Sequence, residues 1–290
     1  VILASSVLII IALSMALLMS YAVVGPLQKL LKQTYRFATG EIKTIEPIND
    51  PMITEIDKLS QGLAQMAKEL QERGEYIRDF SMHVSHEFKT PLTSIHGAAE
   101  LLSEHKDEMD SEKKEKFLNN IMQDTDRLKR LVNRLLELAK ADNLEPGPQT
   151  CALADILDKI QTRYKSSEFD VTYEPISENA PPVLMAPEYL ETVLANLIEN
   201  SFQHGATAVH ISHKKRKRNM AITLKDNGSG ISEANAEKIF TPFFTTKRHD
   251  GGTGLGLKIV RSIVENHHGK IEIIPSEDGA SFTLSLILAV

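Results

Sequence analysis

Residues 83–95 read HVSHEFKTPLTSI: two histidines, a carboxylate, a lysine and a proline in what is otherwise an amphipathic helix. A neutral imidazole nitrogen is a nucleophile, and because histidine ordinarily titrates near about 6.5, that form is plentiful at neutral pH. Which histidine can react depends on the helix face. Ile77, Phe80, Val84, Phe88, Leu92, Ile95, Ala99 and Leu102 recur three or four apart and predict one apolar stripe on a helix from about Glu75 to Ser103. His86 lies two positions from both Val84 and Phe88, so at about 100° per residue it turns away from the stripe, toward solvent or another molecule. His83 is on a similar side without the acid–lysine–proline flank and is the alternative reactant. Pro91 removes a backbone hydrogen bond and bends the axis, typically at about 3 kcal/mol, which points to a purpose or a compensation.

A second group of residues suits phosphate chemistry. Residues 190–205, LETVLANLIENSFQHG, place Asn196, Asn200 and His204 four apart on one helical face. Amide oxygens are hard, neutral ligands that can hold Mg²⁺ while a phosphate completes its shell, although a solvated helix face gives the same row. ITLKDNGSGI then ends a strand with Asp226 and a turn at Gly228 and Gly230. GGTGLGL, residues 251–257, leads into the apolar helix KIVRSIVENHHG. Glycines before a helix let backbone N–H groups approach phosphates, assisted by the helix dipole. Each element alone is weak, but the three in this order are a strong signal.

These groups need a scaffold. After the charged stretch EHKDEMDSEKKE, Leu118, Ile121, Thr125, Leu128, Val132, Leu135 and Ala139 form a heptad seam ending near ADNLEPGP. The two helices predict an antiparallel hairpin. A hairpin has half a bundle's core, so two copies joined in a four-helix bundle, a homodimer, is the economical solution; a third element of the same chain over the seam is the alternative. From about Leu153 the periodicity mixes helices and strands.

The first 24 residues carry no charge and are long enough to cross a membrane as one helix. A signal peptide would need a basic n-region and a shorter apolar run. Lys29, Lys32 and Arg36 come next, which puts the C-terminal side in the cytoplasm. The chain starts at Val1 on the apolar run itself, so sequence N-terminal to it is expected. Gly25-Pro26 is expected to break the helix. Amphipathic runs then lie on either side of TGE and EPINDP, the second from about Thr54 through Leu70, and they call for a partner chain. With 290 residues, 42% hydrophobic, the chain can hold about two ordinary domains or several smaller modules. A net charge of −6 implies no general attraction to nucleic acid, and the basic run HKKRKR at 213–218 reads as a hairpin tip between two strands. The single Cys151 has no disulfide or zinc partner and suits a reducing compartment.

Taken together, the chain resembles the bacterial sensor histidine kinases of two-component signalling. SHEFKTPLTSI is similar to that family's H box, NLIENSFQH to its N box, DNGSGI to its G1 box, FTPFF to its F box and GGTGLGL to its G2 box, in family order over residues 75–290. Residues 25–75 resemble a HAMP linker through Pro26 and Glu55, with an ordinary juxtamembrane coiled coil as the alternative. The resemblance implies a multidomain fold: a transmembrane helix (1–24), the linker (25–75), an all-α dimerisation and phosphotransfer hairpin (76–145), and an α/β two-layer sandwich that binds ATP (150–290). Gyrase, chaperone and mismatch-repair ATPases resemble the last part but lack the H box and carry a catalytic glutamate where Asn196 stands.

It further implies autophosphorylation of His86 from ATP, then transfer to an aspartate of a separate response regulator, since no receiver-like segment follows Val290. Glu87 would accept or orient the other ring proton, and Thr90, four residues on, would support phosphatase activity. Asn200, aided by Asn196, would hold Mg²⁺, and His204 would contact phosphate. Asp226 would accept from the adenine amino group, in a pocket shaped by Gly228 and Gly230. Phe243 falls in the F box; Gly252, Gly254 and Gly256 would let a short lid close. Lys247 or Arg248 would reach the γ-phosphate, a solvated lid charge being the alternative. A pseudokinase scaffold and a serine kinase or simple ATPase on the same nucleotide fold are the competing readings.

Overall fold

The computed structural model describes residues 2–48, 54–105, 109–166, 169–177, 180–247, 252–274 and 279–289. Parts of the EPINDP and EHKDEMDSEKKE stretches, and Arg248, lie outside them. The chain divides into two compact units, 1–86 and 87–290.

The first unit begins with α1 (Ile2–Met19), whose apolar side chains are exposed, Leu8 at 67% and Leu17 at 70%. It belongs to the one helical stretch among the described residues that is long and apolar enough to cross a membrane. The expected break at Gly25-Pro26 does not occur. Instead, Ser20–Val24 form a π turn that runs straight into α2 (Gly25–Ala38), with the Gly25 N–H donating to the Ser20 carbonyl. Proline cannot donate to the carbonyl four residues back and clashes with it; the wider turn takes up that misfit without ending the helix. Beyond α2, an Arg36–Glu41 ion pair of 2.7 Å and Gly40 at φ 75° turn the chain. The connector then lies with Ile45 buried and the Ile48 N–H donating to Ser60 Oγ at 2.6 Å.

That serine is on α3 (Thr54–Glu104), a single helix of 51 residues. The linker run and the phosphoacceptor helix, read separately from sequence, are thus one element, and Gly74 lies inside it with nothing within 4 Å of where a Cβ would stand. Pro91 is also inside it; it removes the helical donor to the Glu87 carbonyl yet leaves the helix continuous.

In the second unit, the rest of α3 pairs with α4 (Ser111–Asp142), which opens on an N-cap from Asp110 to the Lys113 N–H at 2.8 Å. Arg127 on α4 donates to Glu87 Oε2 at 3.2 Å, tying the two arms of the hairpin. Ala98, Leu131 and Leu138 are buried between or beside them.

The second unit continues as α5 (Leu153–Tyr164), β1 (Asp170–Tyr173), α6 (Pro187–Gln203), β2 (Ala208–Arg216), β3 (Asn219–Asp226), the short α7 (Glu233–Ala236), α8 (Gly256–Asn266), β4 (Lys270–Ile274) and β5 (Ser281–Ile287). The sheet order is β1-β2-β3-β5-β4, with β1 parallel to β2 and every other pair antiparallel. Strand alternation sends Ile222 and Leu224 of β3, and Phe282, Leu284 and Leu286 of β5, into one face. Leu194 and Leu197 of α6 and Ile259 and Val260 of α8 cover that face, making a two-layer α/β sandwich. The basic run sits at the β2–β3 hairpin tip, where Lys217 has φ 52°. Cys151 is buried and bridges Val183, which bridges Leu288, so the entering strap is stitched to the end of β5. Burial pushes the Cys151 thiol up to about 11, so it stays protonated and inert.

Candidate active site

Asp226 occupies the last inward-facing position of β3, so the same alternation that builds the core buries a carboxylate, 8% exposed, at the strand end. Such a group needs donors. Its Oδ1 accepts from the backbone N–H groups of Gly228 and Ala280, both at 2.9 Å, and its Oδ2 from the Ser201 hydroxyl at 2.7 Å. Gly279, at φ 81°, is pressed so closely on this strand end that an added Cβ would stand 2.0 Å from the Asp226 carbonyl oxygen.

A cavity of about 460 Å³ opens beside Asp226, a size suited to a nucleotide-scale ligand. Asn196, Asn200, His204, Asp226, Gly230, Gly252, Gly254 and Gly256 line it, so eight residues singled out from three separate motifs meet at one place. Gly228, Phe243 and Lys247 do not line it. Gly228 serves Asp226 through its N–H, and a Cβ there would come within 3.0 Å of the His204 carbonyl oxygen. Phe243 is buried, and Phe244 contributes to the wall instead. Segments 240–247 and 252–256 are joined by the Phe243 N–H donating to the Gly254 carbonyl at 2.9 Å, with φ 64° at Phe243 and 67° at Gly254. A side chain at 254 would meet the Phe243 backbone at 2.5 Å, which explains the glycine. Arg261 of α8 stacks 3.9 Å over the Phe240 ring, fixing the segment that enters the lid.

His204 ends α6 with its imidazole half-buried. Burial first, and then the Lys247 charge, hold its pKa below the ordinary 6.5, with Asp226 opposing. It is therefore neutral at neutral pH, a hydrogen-bonding group and not a cation. Because unfolding restores the ordinary value, the unfolded chain binds a proton that the folded one refuses, and stability must fall as pH drops through and below about 6.5. Denaturant melts at about pH 5.5 and 7.5 should show this acid loss, and His204→Gln should remove part of it.

Hairpin residues that no motif had flagged also line the cavity. Arg130, Asn133, Arg134 and Glu137 of α4 face it, and so does Glu199 of α6. Arg134 Nη1 donates to Asn196 Oδ1 at 2.9 Å and to Glu137 Oε2 at 2.8 Å, and Nη2 donates to Glu199 Oε2 at 2.7 Å. Tyr164 donates its hydroxyl to the other Glu199 oxygen at 2.9 Å; burial and the Glu199 charge push that hydroxyl up to about 12. The only trace of this in the sequence is an Arg134–Glu137 spacing of three and a glutamate next to Asn200. At the far end of the same contact, Ser262 Oγ donates to Asp142 Oδ1 at 2.6 Å and Asn266 Nδ2 to the Ala141 carbonyl at 2.7 Å.

The remaining candidates are on the hairpin. His86 is exposed, as its offset from the apolar stripe requires. Glu87, its side chain 18% exposed, is held by Arg127, and Thr90 is exposed one helical turn beyond His86.

Residues 76–144 match the His Kinase A (phospho-acceptor) domain, and residues 185–290 match the histidine kinase-, DNA gyrase B-, and HSP90-like ATPase family. The heme sensor protein HssS of Staphylococcus aureus (strain Newman) is 29% identical over 295 residues, covering 96% of this chain. The chain spans 61% of that relative's length. Among solved structures, histidine kinase ThkA in complex with response regulator protein TrrA aligns at a TM-score of 0.59 and 24% identity, over 78% of this chain and 66% of that one. Acinetobacter baumannii histidine kinase AdeS aligns at 0.52 and 21%, over 71% and 98%. At these identities the two structures establish the fold.

Proposed function

We propose, on the premise that this chain belongs to the sensor histidine kinases, that it transfers the γ-phosphoryl group of ATP to its own His86 and passes it to an aspartate of a separate response regulator. The observation that carries the reading is the convergence of the Asn196–Asn200–His204 row, Asp226 and the glycine turn on one cavity, in a chain whose phospho-acceptor domain exposes His86 beside Glu87.

In the transfer, a neutral ring nitrogen of His86 attacks the γ-phosphorus. A nitrogen–phosphorus bond forms as the bond to the bridging oxygen breaks, and ADP leaves. The proton on the other ring nitrogen passes to Glu87, whose carboxylate Arg127 orients. At the opposite end of the nucleotide, Asp226 receives the adenine amino group while Ser201, Gly228 and Ala280 fix its oxygens. The cavity offers hard oxygen donors from Asn200 and Asn196, which fit Mg²⁺, an ion that takes one or two protein oxygens and leaves the rest of its shell to phosphates and water. Bound there, Mg²⁺ supplies charge neutralisation for the phosphates. Positioning does the rest of the catalysis. Thr90, one turn beyond His86 on the same face, orients water for dephosphorylating the regulator.

A phosphoramidate hydrolyses in acid and survives base, and a phosphoserine does the reverse. Label taken from ATP by the purified chain should be lost in acid; acid-stable label would transfer the reading to a serine kinase.

The apolar N-terminal helix anchors the kinase in the membrane with its catalytic part in the cytoplasm, supported by its length and by the basic residues just after it. Leu101, Leu118, Met122 and Leu136 are exposed on the hairpin, and a second copy covering them completes a four-helix bundle. Residues 25–75 act as a HAMP-like relay. The unbroken course of α3 from Thr54 past His86 supports this, because a rigid helix passes on rotation. One residue inserted near Gly74 rotates the downstream part of the helix by about 100°, whereas seven restore the seam's phase. The ratio of kinase to phosphatase activity should change sharply for short insertions and recover for the seven-residue one; indifference to length would make the segment a passive tether.

A further inference from the structure

The Arg134 contact joins two parts of the molecule that the reaction must bring together and separate. Arg134 is on the hairpin helix α4, yet its guanidinium is built into the wall of the nucleotide cavity, its side chain 26% exposed. Its acceptors include two carboxylates, Glu137 and Glu199, so its charge is matched within the protein and is not presented to a phosphate. The third acceptor is the amide oxygen of Asn196. That amide is oriented from behind, since its Nδ2 donates to the Thr192 carbonyl at 2.8 Å. Gly256 leaves it room, because a Cβ there would stand 3.0 Å from the same oxygen. The Asn196 oxygen, which lines the same cavity as Asn200 and would share a divalent cation with it, is thus bonded to a guanidinium. A divalent cation and a guanidinium repel at such range and compete for the same lone pairs.

Resting on the reading of the cavity as a nucleotide site, we propose that Arg134 is a positioning residue that couples the hairpin to the metal–phosphate end of that site. It holds Asn196 and Glu199 while α4 is docked on the nucleotide domain, and capture of Mg–nucleotide by Asn196 and Asn200 displaces it. The far end of the contact then depends on the Asp142–Ser262 and Ala141–Asn266 hydrogen bonds. Binding couplings are reciprocal: whatever Arg134 takes from Mg–nucleotide affinity, Mg–nucleotide takes from docking.

The test uses the full chain in lipid nanodiscs and two probes, Mg²⁺ with a non-hydrolysable ATP analogue and ADP without metal. Arg134→Gln should tighten binding of the Mg–analogue by about tenfold, a typical size for such coupling, and leave metal-free ADP affinity unchanged, because ADP is gripped at Asp226. In the wild type, the Mg–analogue should speed amide hydrogen exchange over 130–142 of α4; in Arg134→Gln, exchange there should be fast before any ligand is added. Glu199→Gln, which keeps an acceptor for Tyr164 and removes one charge that holds Arg134, should shift both readouts the same way by less. Unchanged Mg–analogue affinity in both variants would overturn the coupling. Weaker affinity in Arg134→Gln would also overturn it and make Arg134 a phosphate ligand. A wild-type chain that binds neither probe overturns the reading of the cavity itself, and the coupling with it.

Discussion

A chain carrying His86→Gln should take up no acid-labile phosphate from ATP and should still bind ADP as the wild type does. The loss is total because glutamine has no nucleophilic nitrogen: its amide lone pair is delocalised into the carbonyl, so the phosphoryl group has no acceptor at that place. Binding is spared because none of the residues lining the nucleotide cavity is changed. Autoradiography of samples kept and washed at alkaline pH, where a phosphoramidate survives, set beside calorimetric titration with ADP, reads both halves. Full labelling of the variant would transfer the role to His83, whose Nδ1–H donates to the Asp79 carbonyl at 2.7 Å and whose Nε2 then carries the lone pair.

The second large effect is on recognition. Asp226→Asn keeps the size of the side chain and one acceptor for the N–H groups of Gly228 and Ala280. It replaces the second oxygen by an NH₂ that faces the Ser201 hydroxyl, and a donor then meets the adenine amino group. A hydrogen bond to a charged group is worth about 1.5–3 kcal/mol, so metal-free ADP affinity should fall by roughly ten- to a hundredfold. Asn200→Asp supplies the contrast. It leaves the adenine end intact and changes the charge beside the phosphates, so it should mainly damage turnover and cost metal-free ADP affinity less than Asp226→Asn does. Equal ADP affinity in Asp226→Asn and wild type would remove Asp226 from the adenine role.

Periodicity alone makes much of the site legible. The outward placement of His86 comes from an apolar stripe three and four apart, and the Asn196–Asn200–His204 row from helical spacing; both are local properties of one helix. Asp226 can be placed at a strand end beside a glycine turn for the same reason. Contacts with distant partners leave no such trace. Ser201 and Ala280 hold the Asp226 carboxylate and Gly279 packs against its backbone carbonyl, yet the last two lie more than fifty positions along the chain from it, at the entry to β5. Arg134 reaches Asn196 and Glu199 from 62 and 65 residues away. The π turn at Ser20–Val24 is hidden because a proline after a glycine usually marks an end, and here the helix deforms to absorb it. Phe243 and Phe244 cannot be told apart by sequence, since the positive φ at Phe243 decides which ring turns inward.

The strap that enters the nucleotide domain sets a kinetic limit. Cys151 is stitched to Val183, and α4 ends at Asp142, so only 143–150 lies between the hairpin and its first anchorage. Fully extended, that stretch spans about 28 Å. From the level of Arg127, opposite Glu87, to Asp142, α4 rises about 22 Å. Once the Arg134 contacts and the docking bonds at Ala141 and Asp142 let go, the leash is long enough for the domain to travel back up the helix to the level of Glu87, and too short for it to go far beyond. On the proposed function, His86 and the nucleotide would then meet as tethered reactants, at an effective concentration in the millimolar range for a short flexible linker. The rate of self-phosphorylation should therefore be set by how often the leash brings the two together and be insensitive to dilution of the protein.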